Sequence, residues 1–438
     1  MALGYIDSQA ITDIADAIRA KDGSSSTMTI AEMPQKIADI PSGGGERPIS
    51  DWKQVAIIDY DGTLIADYTR QEALALTALP TAPDHSQDEL PLSFETYNWT
   101  LAEIKDQLTN HPQLQITAGA LYRSTDTLSH AIFNMNDDRL SLHFQITRVS
   151  SDEYVDWGDG TTSSINQYGS TAHTYATQGT YHVKTNAAKM AFADGTWNEH
   201  SPVRVSFGTS VTAATAEFFN RFKETISLPM PNVPNIYSST GNGNPMGLIT
   251  GLVVPKTSLF NAINLDLYNV KVISLPPGWN ESSNNQNMTY MRNLERLDFP
   301  AGFTKSIIQL GNTPVKNFTI PSTMNISQVC NNAFGMKKIV IEEGVTTLSS
   351  SVICDAYFCE EISLPSTLTT INNSAFNPRC VYGTIWIYAQ TPPTMASSFN
   401  SYQKPKKVYI PYGTLSAYES AQYWSTWAGL YEEMPQTT

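Results

Sequence analysis

The sequence predicts a multidomain, mainly β protein with an N-terminal helical segment, a small α+β module, a β-sandwich and a C-terminal repeat solenoid. An apolar strand closed by proline recurs along the second half of the chain, and strands of alternating polarity separated by glycine turns fill the middle. Helical periodicity is confined to residues 1–41 and to two later stretches. Because 438 residues exceed what one core supports, we expect domains over 1–45, 46–135, 136–208 and 209–438.

Residues 1–41 predict two short helices, and a flexible proline- and glycine-rich linker follows over 41–45. The first helix places Ile11, Ile14 and Ile18 on one face, and the second carries Met33 and Ile37. Helices of this length are unstable alone in water, so their apolar positions need a partner surface. These five residues are therefore the candidate attachment residues.

This segment resembles the N-terminus of tail-fibre and tail-associated proteins from phages of Gram-positive gut bacteria. The resemblance lies in the helical stretch over 10–21, the stretch 28–34 and the linker that follows. The resemblance covers about forty residues. It implies docking into a phage tail or baseplate. It also implies a homo-oligomer, for which a trimer is one candidate.

Residues 46–135 predict an α+β module that begins with a β-hairpin. Apolar strands over 55–60 and 63–68 flank Asp61-Gly62, a pair that suits a type I′ turn because both central residues need positive φ. Helices are expected over about 69–79 and 100–108, with a proline loop and a strand over 94–99 between them. The order of these pieces resembles the β-grasp-like repeat of Gram-positive surface proteins.

The segment 59–64 also matches the first motif of haloacid-dehalogenase-type phosphohydrolases, in which one aspartate is the nucleophile and the next is the acid/base beside a magnesium ion. That family needs an α/β sheet with a downstream lysine and an acidic pair at strand ends. This chain instead turns directly back into a second strand, so we favour the hairpin. A phosphohydrolase stays the less favoured alternative, and we predict no catalytic residues.

Residues 136–208 alternate apolar and polar positions, as expected of a half-buried sheet. The motif Trp-Gly-Asp-Gly over 157–160 is followed by His-Thr-Tyr over 173–175 and Gly-Thr-Tyr over 179–181. This order resembles the polycystic-kidney-disease-type (PKD) β-sandwich and implies that Trp157 fills the core between two sheets. Asp156 and Asp159 have two open interpretations: calcium ligands, or the turn residues that we favour.

Apolar strands recur over 226–229, 252–255, 273–276, 297–300, 318–321, 339–342, 362–365, 385–388 and 408–411. Their spacing of roughly 21 to 26 residues lies inside the range of leucine-rich repeats, whose units bury their apolar faces by stacking. The stretch 364–376 resembles the consensus of the BspA-like leucine-rich repeat, and the end of the chain resembles the C-terminal cap of that family.

Aromatic residues in the repeat half are the candidates for receptor binding, because exposed aromatic side chains suit sugars and protein hot spots. The candidate residues are Trp279, Tyr290, Trp386, Tyr388, Tyr402 and Tyr412. For any single one of them, a place in the core or cap remains the alternative.

Composition excludes several functional classes. The formal charge of −14 argues against nucleic-acid binding, which needs a basic surface. No apolar run is long enough to span a bilayer, and the first residues lack the basic and apolar regions of a signal peptide. We therefore expect no membrane insertion, no metal site and no cofactor, and synthesis in a host cytoplasm.

Together these features predict a non-enzymatic receptor-binding protein of a phage tail or baseplate, located in the virion. The N-terminus would attach to other tail proteins, and the solenoid would bind a bacterial cell-surface glycan or protein. The main alternative is a bacterial surface adhesin, which would need a signal peptide and a wall anchor.

Overall fold

The protein is mainly β with few helices. The computed structural model describes residues 47–136, 140–144, 150–166, 171–190, 200–214, 225–232, 248–256, 268–279, 285–287, 291–303, 307–310, 313–323, 335–349, 352, 359–373, 375, 383–397 and 404–436. The chain divides into two compact units, Met1–Trp52 and Lys53–Thr438. In the first unit the described residues form a short 3-10 helix, Ile49–Asp51. The helices predicted over 1–41 lie outside the described residues, with Ile11, Ile14, Ile18, Met33 and Ile37.

The second unit begins with a four-stranded mixed sheet. Its elements are β1 (Val55–Ile58), β2 (Leu64–Tyr68), α1 (Arg70–Ala75), β3 (Leu92–Tyr97), α2 (Leu101–Asn110) and β4 (Ile116–Ser124). The strand order is β2-β1-β4-β3, with β1 antiparallel to β2 and parallel to β4. The predicted hairpin is confirmed, and Gly62 at its tip has a φ of 92°. The expected type I′ turn is wrong, because Asp61 lacks the positive φ that such a turn needs at both central residues.

Both helices begin at capping boxes. The Thr69 hydroxyl accepts a hydrogen bond from the Glu72 amide, and the Glu72 carboxylate accepts one from the Thr69 amide. Thr100 and Glu103 repeat the arrangement at α2. Such reciprocal bonds satisfy amides that would otherwise be left free at a helix start. The first helix ends at Ala75, earlier than the sequence predicts.

The next segment forms a five-stranded sheet in the order β12-β5-β10-β7-β8. The strands from 129 to 214 are β5 (Ser129–Met135), β6 (Ser141–Phe144), β7 (Tyr154–Asp156), β8 (Thr162–Ser164), β9 (Thr171–Thr174), β10 (Gly179–Thr185), β11 (Lys189–Met190), β12 (Pro202–Ser206) and β13 (Ala213–Ala214). The pairs β6-β9 and β11-β13 form separate two-stranded sheets. Although the predicted domain boundary places β5 in the preceding module, β5 pairs with β10 and β12.

The C-terminal part is a β-solenoid of about five turns. Its strands are β14 (Gly251–Val253), β15 (Val272–Ser274), β16 (Asn285–Asn287), β17 (Arg296–Leu297), β18 (Ile307–Gln309), β19 (Asn317–Ile320), β20 (Lys338–Ile341), β21 (Thr347–Leu348), β22 (Glu361–Leu364), β23 (Thr370–Ile371), β24 (Thr384–Ile387), β25 (Thr394–Met395), β26 (Lys407–Ile410) and β27 (Tyr431–Glu433). The largest sheet runs β19-β20-β22-β24-β26-β27, with every pair parallel.

A ladder of aliphatic side chains explains why these strands stack in one register. Ile339, Ile362, Ile385 and Val408 are register partners on successive strands, and each is fully buried. Burial of one such side chain stabilises the fold by about 1.5–3 kcal/mol. The residue that follows each of them points to the opposite face, because side chains alternate along a strand.

The solenoid continues directly from the five-stranded sheet. The Ile226 amide donates to the Val203 carbonyl of β12, and Arg204 and Ser227 form a parallel bridge. The Leu248 amide then donates to the Thr225 carbonyl, which extends the ladder toward β14. Strand β12 therefore covers the N-terminal edge that the solenoid would otherwise expose.

An aromatic cap closes the other end of the solenoid core. It consists of α3 (Leu415–Ser420) and a 3-10 helix, Trp424–Trp427. Tyr418, Trp424 and Trp427 are buried, and the Trp424 indole donates to the Pro393 carbonyl. The cap predicted from the sequence therefore shields apolar side chains at the chain end.

Candidate binding surface

The α+β module lies against the outward face of the first solenoid turns. The Ser274 hydroxyl of β15 donates to the Thr117 carbonyl of β4 at 2.7 Å, and the Asn98 side-chain nitrogen Nδ2 donates to the Val254 carbonyl at 2.9 Å. The approach is very close, since a Cβ added at Gly251 would lie 2.2 Å from the Gly62 nitrogen. Glycine is required where two backbones meet in this way.

A buried arginine fastens the module to the next turn. Arg296 of β17 is 4% exposed, and its guanidinium donates to the carbonyls of Lys53 and Gln54, each at 3.0 Å. The same guanidinium donates to Asp298 at 2.8 Å and to the Thr117 hydroxyl at 2.9 Å. A buried charge of this kind is tolerated only because its donors are satisfied.

The end of α2 reaches the solenoid as far as β20. The His111 Nδ1 atom lies 2.9 Å from the buried Glu342 carboxylate, and the Gln113 side-chain oxygen accepts from the Glu343 amide. The outward positions beyond this contact include Trp386 of β24 and Tyr409 of β26, which are partly exposed. The module therefore covers the early turns, and the outward face of the last turns is the candidate binding surface.

The ring planes of Trp386 and Tyr409 are stacked on that face and project from the sheet. Their ring centroids are 4.1 Å apart and their planes differ by 13°. Rings lying flat side by side could not approach so closely, so the two rings face one another across neighbouring strands, which are about 4.8 Å apart. The stack consequently shows its edges to solvent and one outer ring face on each side.

Smaller side chains follow Trp386 across the sheet. Its register partner on β22 is Ser363, and the partner of Ser363 on β20 is Val340. The side of the indole that faces away from Tyr409 therefore meets no further aromatic ring on these two strands.

Charged and phenolic side chains border the stacked pair Trp386 and Tyr409, which we call the aromatic row. Lys338 pairs with Glu361 at 2.6 Å, and Lys407 pairs with Glu432. On the other side Tyr388 is 39% exposed. Burial of the remaining part raises the pKa of the Tyr388 phenol, and the charge of Glu361 adds to that shift. The surface thus combines an apolar centre with a polar border.

The structure separates the six predicted aromatic residues. Trp386, Tyr388 and Tyr412 lie at the surface, with Tyr412 59% exposed. The prediction that Trp279 is a receptor-binding residue is corrected, because its side chain is only 3% exposed and its ring stacks on that of Phe303 with centroids 5.6 Å apart. Tyr290 and Tyr402 lie outside the described residues.

Tyr409 was missing from the predicted set although it pairs directly with Trp386. The signal that could have found it is positional. Both residues follow the first buried aliphatic residue of their strands, Ile385 and Val408, so period-two alternation places them on the same outward face.

Asp59, the residue that suggested a phosphohydrolase, is engaged within the fold. It is 3% exposed, and its Oδ1 accepts a hydrogen bond from the Tyr60 amide. Its Oδ2 lies 2.8 Å from His85 Nε2. Burial raises the pKa of this carboxyl, and the His85 contact opposes that rise. The arrangement pins the loop that contains His85 to the end of β1.

The aspartates of the glycine-rich turn act on their own turn. Asp156 accepts from the Gly158 amide at 3.0 Å, and Asp159 accepts from the Thr161 amide and hydroxyl. His173 lies 2.7 Å from Asp159 and stacks on the buried Trp157. Trp157 is fully buried, as the sequence predicts.

Among the residues that the structure describes, no cluster of three or more His, Cys, Asp or Glu side chains is placed to hold a metal ion. Among the same residues, no helix has the length and apolar character needed to cross a membrane.

No protein-family model matches the chain, and no curated protein matches it.

Proposed function

We propose that this chain is a receptor-binding protein of a phage tail fibre or baseplate. Its N-terminal segment attaches to other tail proteins, and its solenoid binds a bacterial cell-surface glycan or protein. The observation that carries the recognition half is the partly exposed aromatic row on the last solenoid turns. The attachment half rests on the resemblance of residues 1–41 to phage tail proteins.

The finer fold assignments belong to the same proposal. Outward residues Lys338, Glu361, Thr384 and Lys407 are register partners at 23-residue intervals, a period typical of leucine-rich repeats and supportive of the BspA-like assignment. The buried Trp157 with its glycine turn supports a PKD-like sandwich. The strand order β2-β1-β4-β3 supports a β-grasp-like module.

The chemistry of the aromatic row suits recognition. Trp and Tyr dominate binding hot spots because they supply a large rigid contact area at a small entropic cost. The Trp386–Tyr409 stack holds both rings in place before a ligand arrives, and the Lys338–Glu361 pair offers polar contacts at its border. Pre-organisation of this kind lowers the cost of binding.

The test of recognition uses the full chain, because β12 and the α+β module both contact the solenoid. Fluorescently labelled protein should bind cells of a susceptible Gram-positive gut bacterium, and Trp386→Ala/Tyr409→Ala should weaken binding by roughly 25-fold or more. The control is Phe94→Ala, which removes an exposed aromatic ring from the α+β module. Equal binding by the double variant and wild type would refute the role of this surface.

Attachment is tested separately. Deleting residues 1–41 should block incorporation into particles and leave cell binding intact. If the full chain were found on a bacterial cell wall and in no particle, the adhesin alternative would replace the phage proposal.

A further inference from the structure

A polar cavity of about 260 Å³ lies where the α+β module, β12 of the five-stranded sheet and the segment bridged to β12 at Ser227 meet. Tyr60 comes from the module and Arg204 from β12, and Ser227 forms an isolated parallel bridge with Arg204. Asp88 and Glu89 contribute from the loop that precedes β3. This cavity is separate from the aromatic row, so what binds there is independent of receptor recognition.

The charged side chains of this cavity are held in pairs. Arg204 pairs with Glu89 at 2.9 Å across the rim. Asp88 lies 2.9 Å from His85 Nδ1, and His85 Nε2 is held by Asp59. The contact with buried Asp59 fixes the loop, so Asp88 is presented in one orientation.

Two hydroxyl-bearing side chains, Tyr60 and Ser227, are among those that line the cavity. Tyr60 and Ser227 are each 9% exposed, and their oxygens are 3.5 Å apart, at the outer limit of a hydrogen bond. A bound hydroxyl group could donate to one and accept from the other. The Tyr60 ring is held by edge contacts with His85 and Tyr122, so its hydroxyl position is fixed.

These contacts define the class of ligand. Each charged group already has a partner at hydrogen-bonding distance, Arg204 with Glu89 and Asp88 with His85, so a charged ligand would have to disrupt one of these pairs. A neutral molecule with several hydroxyl groups can both donate and accept, which matches carboxylates, a guanidinium and two hydroxyls around one small volume. We propose that this cavity binds a neutral monosaccharide unit.

The test uses the full chain and three probes: D-glucose, D-galactose and N-acetyl-D-glucosamine, titrated by isothermal calorimetry and ligand-observed NMR. At least one should saturate with a millimolar dissociation constant. Tyr60→Phe and Ser227→Ala each remove one hydroxyl and keep the packing, so each should weaken binding about three- to tenfold.

Tyr409→Phe is the matched control, because it alters the aromatic row and leaves the cavity untouched. It should bind the sugar like wild type, even if the aromatic row proves not to bind any receptor. Absence of saturation by all three sugars would overturn the assignment, and so would equal binding by both cavity variants. Tighter binding of putrescine or inorganic phosphate than of any sugar would also overturn it.

Discussion

Replacing Arg296 with methionine should cost about 3–5 kcal/mol of unfolding free energy. The guanidinium is buried between the α+β module and the solenoid, where it contacts both. Methionine retains much of the apolar stem and removes every donor. The cost arises because the partners lose their hydrogen bonds while they remain away from water.

Asp298 is the partner of Arg296 whose loss of interaction contributes most to the expected destabilisation. Asp298 has a side chain only 5% exposed, and Arg296 lies 2.8 Å from its carboxylate. Without the arginine, the carboxylate retains one hydrogen bond from the Thr117 hydroxyl, at 2.6 Å. The Lys53 carbonyl loses the donor that Arg296 supplies, whereas the Gln54 carbonyl keeps a hydrogen bond from the Ile116 backbone amide at 3.0 Å. An uncompensated buried charge explains why the expected cost exceeds that of an ordinary hydrogen bond, about 1 kcal/mol.

Urea unfolding followed by tryptophan fluorescence and circular dichroism measures this cost. The double variant Arg296→Met/Asp298→Leu removes both charges and should be more stable than Arg296→Met alone. Lys338→Met is the control, since its pair with Glu361 is solvent-exposed and should contribute about 0–1 kcal/mol. A loss below about 1 kcal/mol for Arg296→Met would refute the claim that this residue fastens the two parts together.

Three further changes test other parts of the fold. Burial lowers the pKa of His182 below its ordinary value of 6.5, and the charge of His130 lowers it further. The stability that the neutral His182 side chain contributes is therefore present above pH 6.5 and is lost as pH falls through the pKa of the folded state. His182→Gln should therefore flatten the fall in Tm between pH 7 and pH 5, and an unchanged slope would contradict this. Gly119→Ala places a Cβ 2.3 Å from a Val253 methyl and should cost about 1–3 kcal/mol in urea, part of which Val253→Ala should restore. Trp157→Ala should cost about 3–5 kcal/mol by the same measurement, and a smaller loss than about 1 kcal/mol would contradict its place in the core.

Local patterns predicted much of the fold. The hairpin around Asp61-Gly62, the recurring apolar strands of the solenoid from β14 to β26 and the buried Trp157 are found in the structure, since each depends on residues close in sequence. The predicted strand over 226–229 is reduced to a bridge at Ser227, and the short strands between the recurring ones, such as β21 and β23, were not predicted. Repetition helped in the solenoid, because one strand position recurs in every turn. The end of α1 was less predictable, as its last turn is decided by contacts that the helical pattern does not contain.

Contacts between distant segments could not be predicted. The Asn98 side chain bonds Val254, and Arg296 bonds the carbonyl of Lys53, pairs separated by more than a hundred residues. Without them, the sequence could not show which solenoid turns the module covers. Trp279 was predicted to bind a receptor for the same reason. The sequence identifies it as an aromatic residue, but only the fold shows that its ring is buried against Phe303.

Competition for phage adsorption tests the central proposal most directly. Host cells are incubated with excess unlabelled full-chain protein, phage is added, and free phage is counted over time. Wild-type protein should slow adsorption, whereas Trp386→Ala/Tyr409→Ala at the same concentration should leave it unchanged. Adsorption that wild-type protein does not slow at saturating concentration, or that both proteins slow equally, would contradict recognition through the aromatic row.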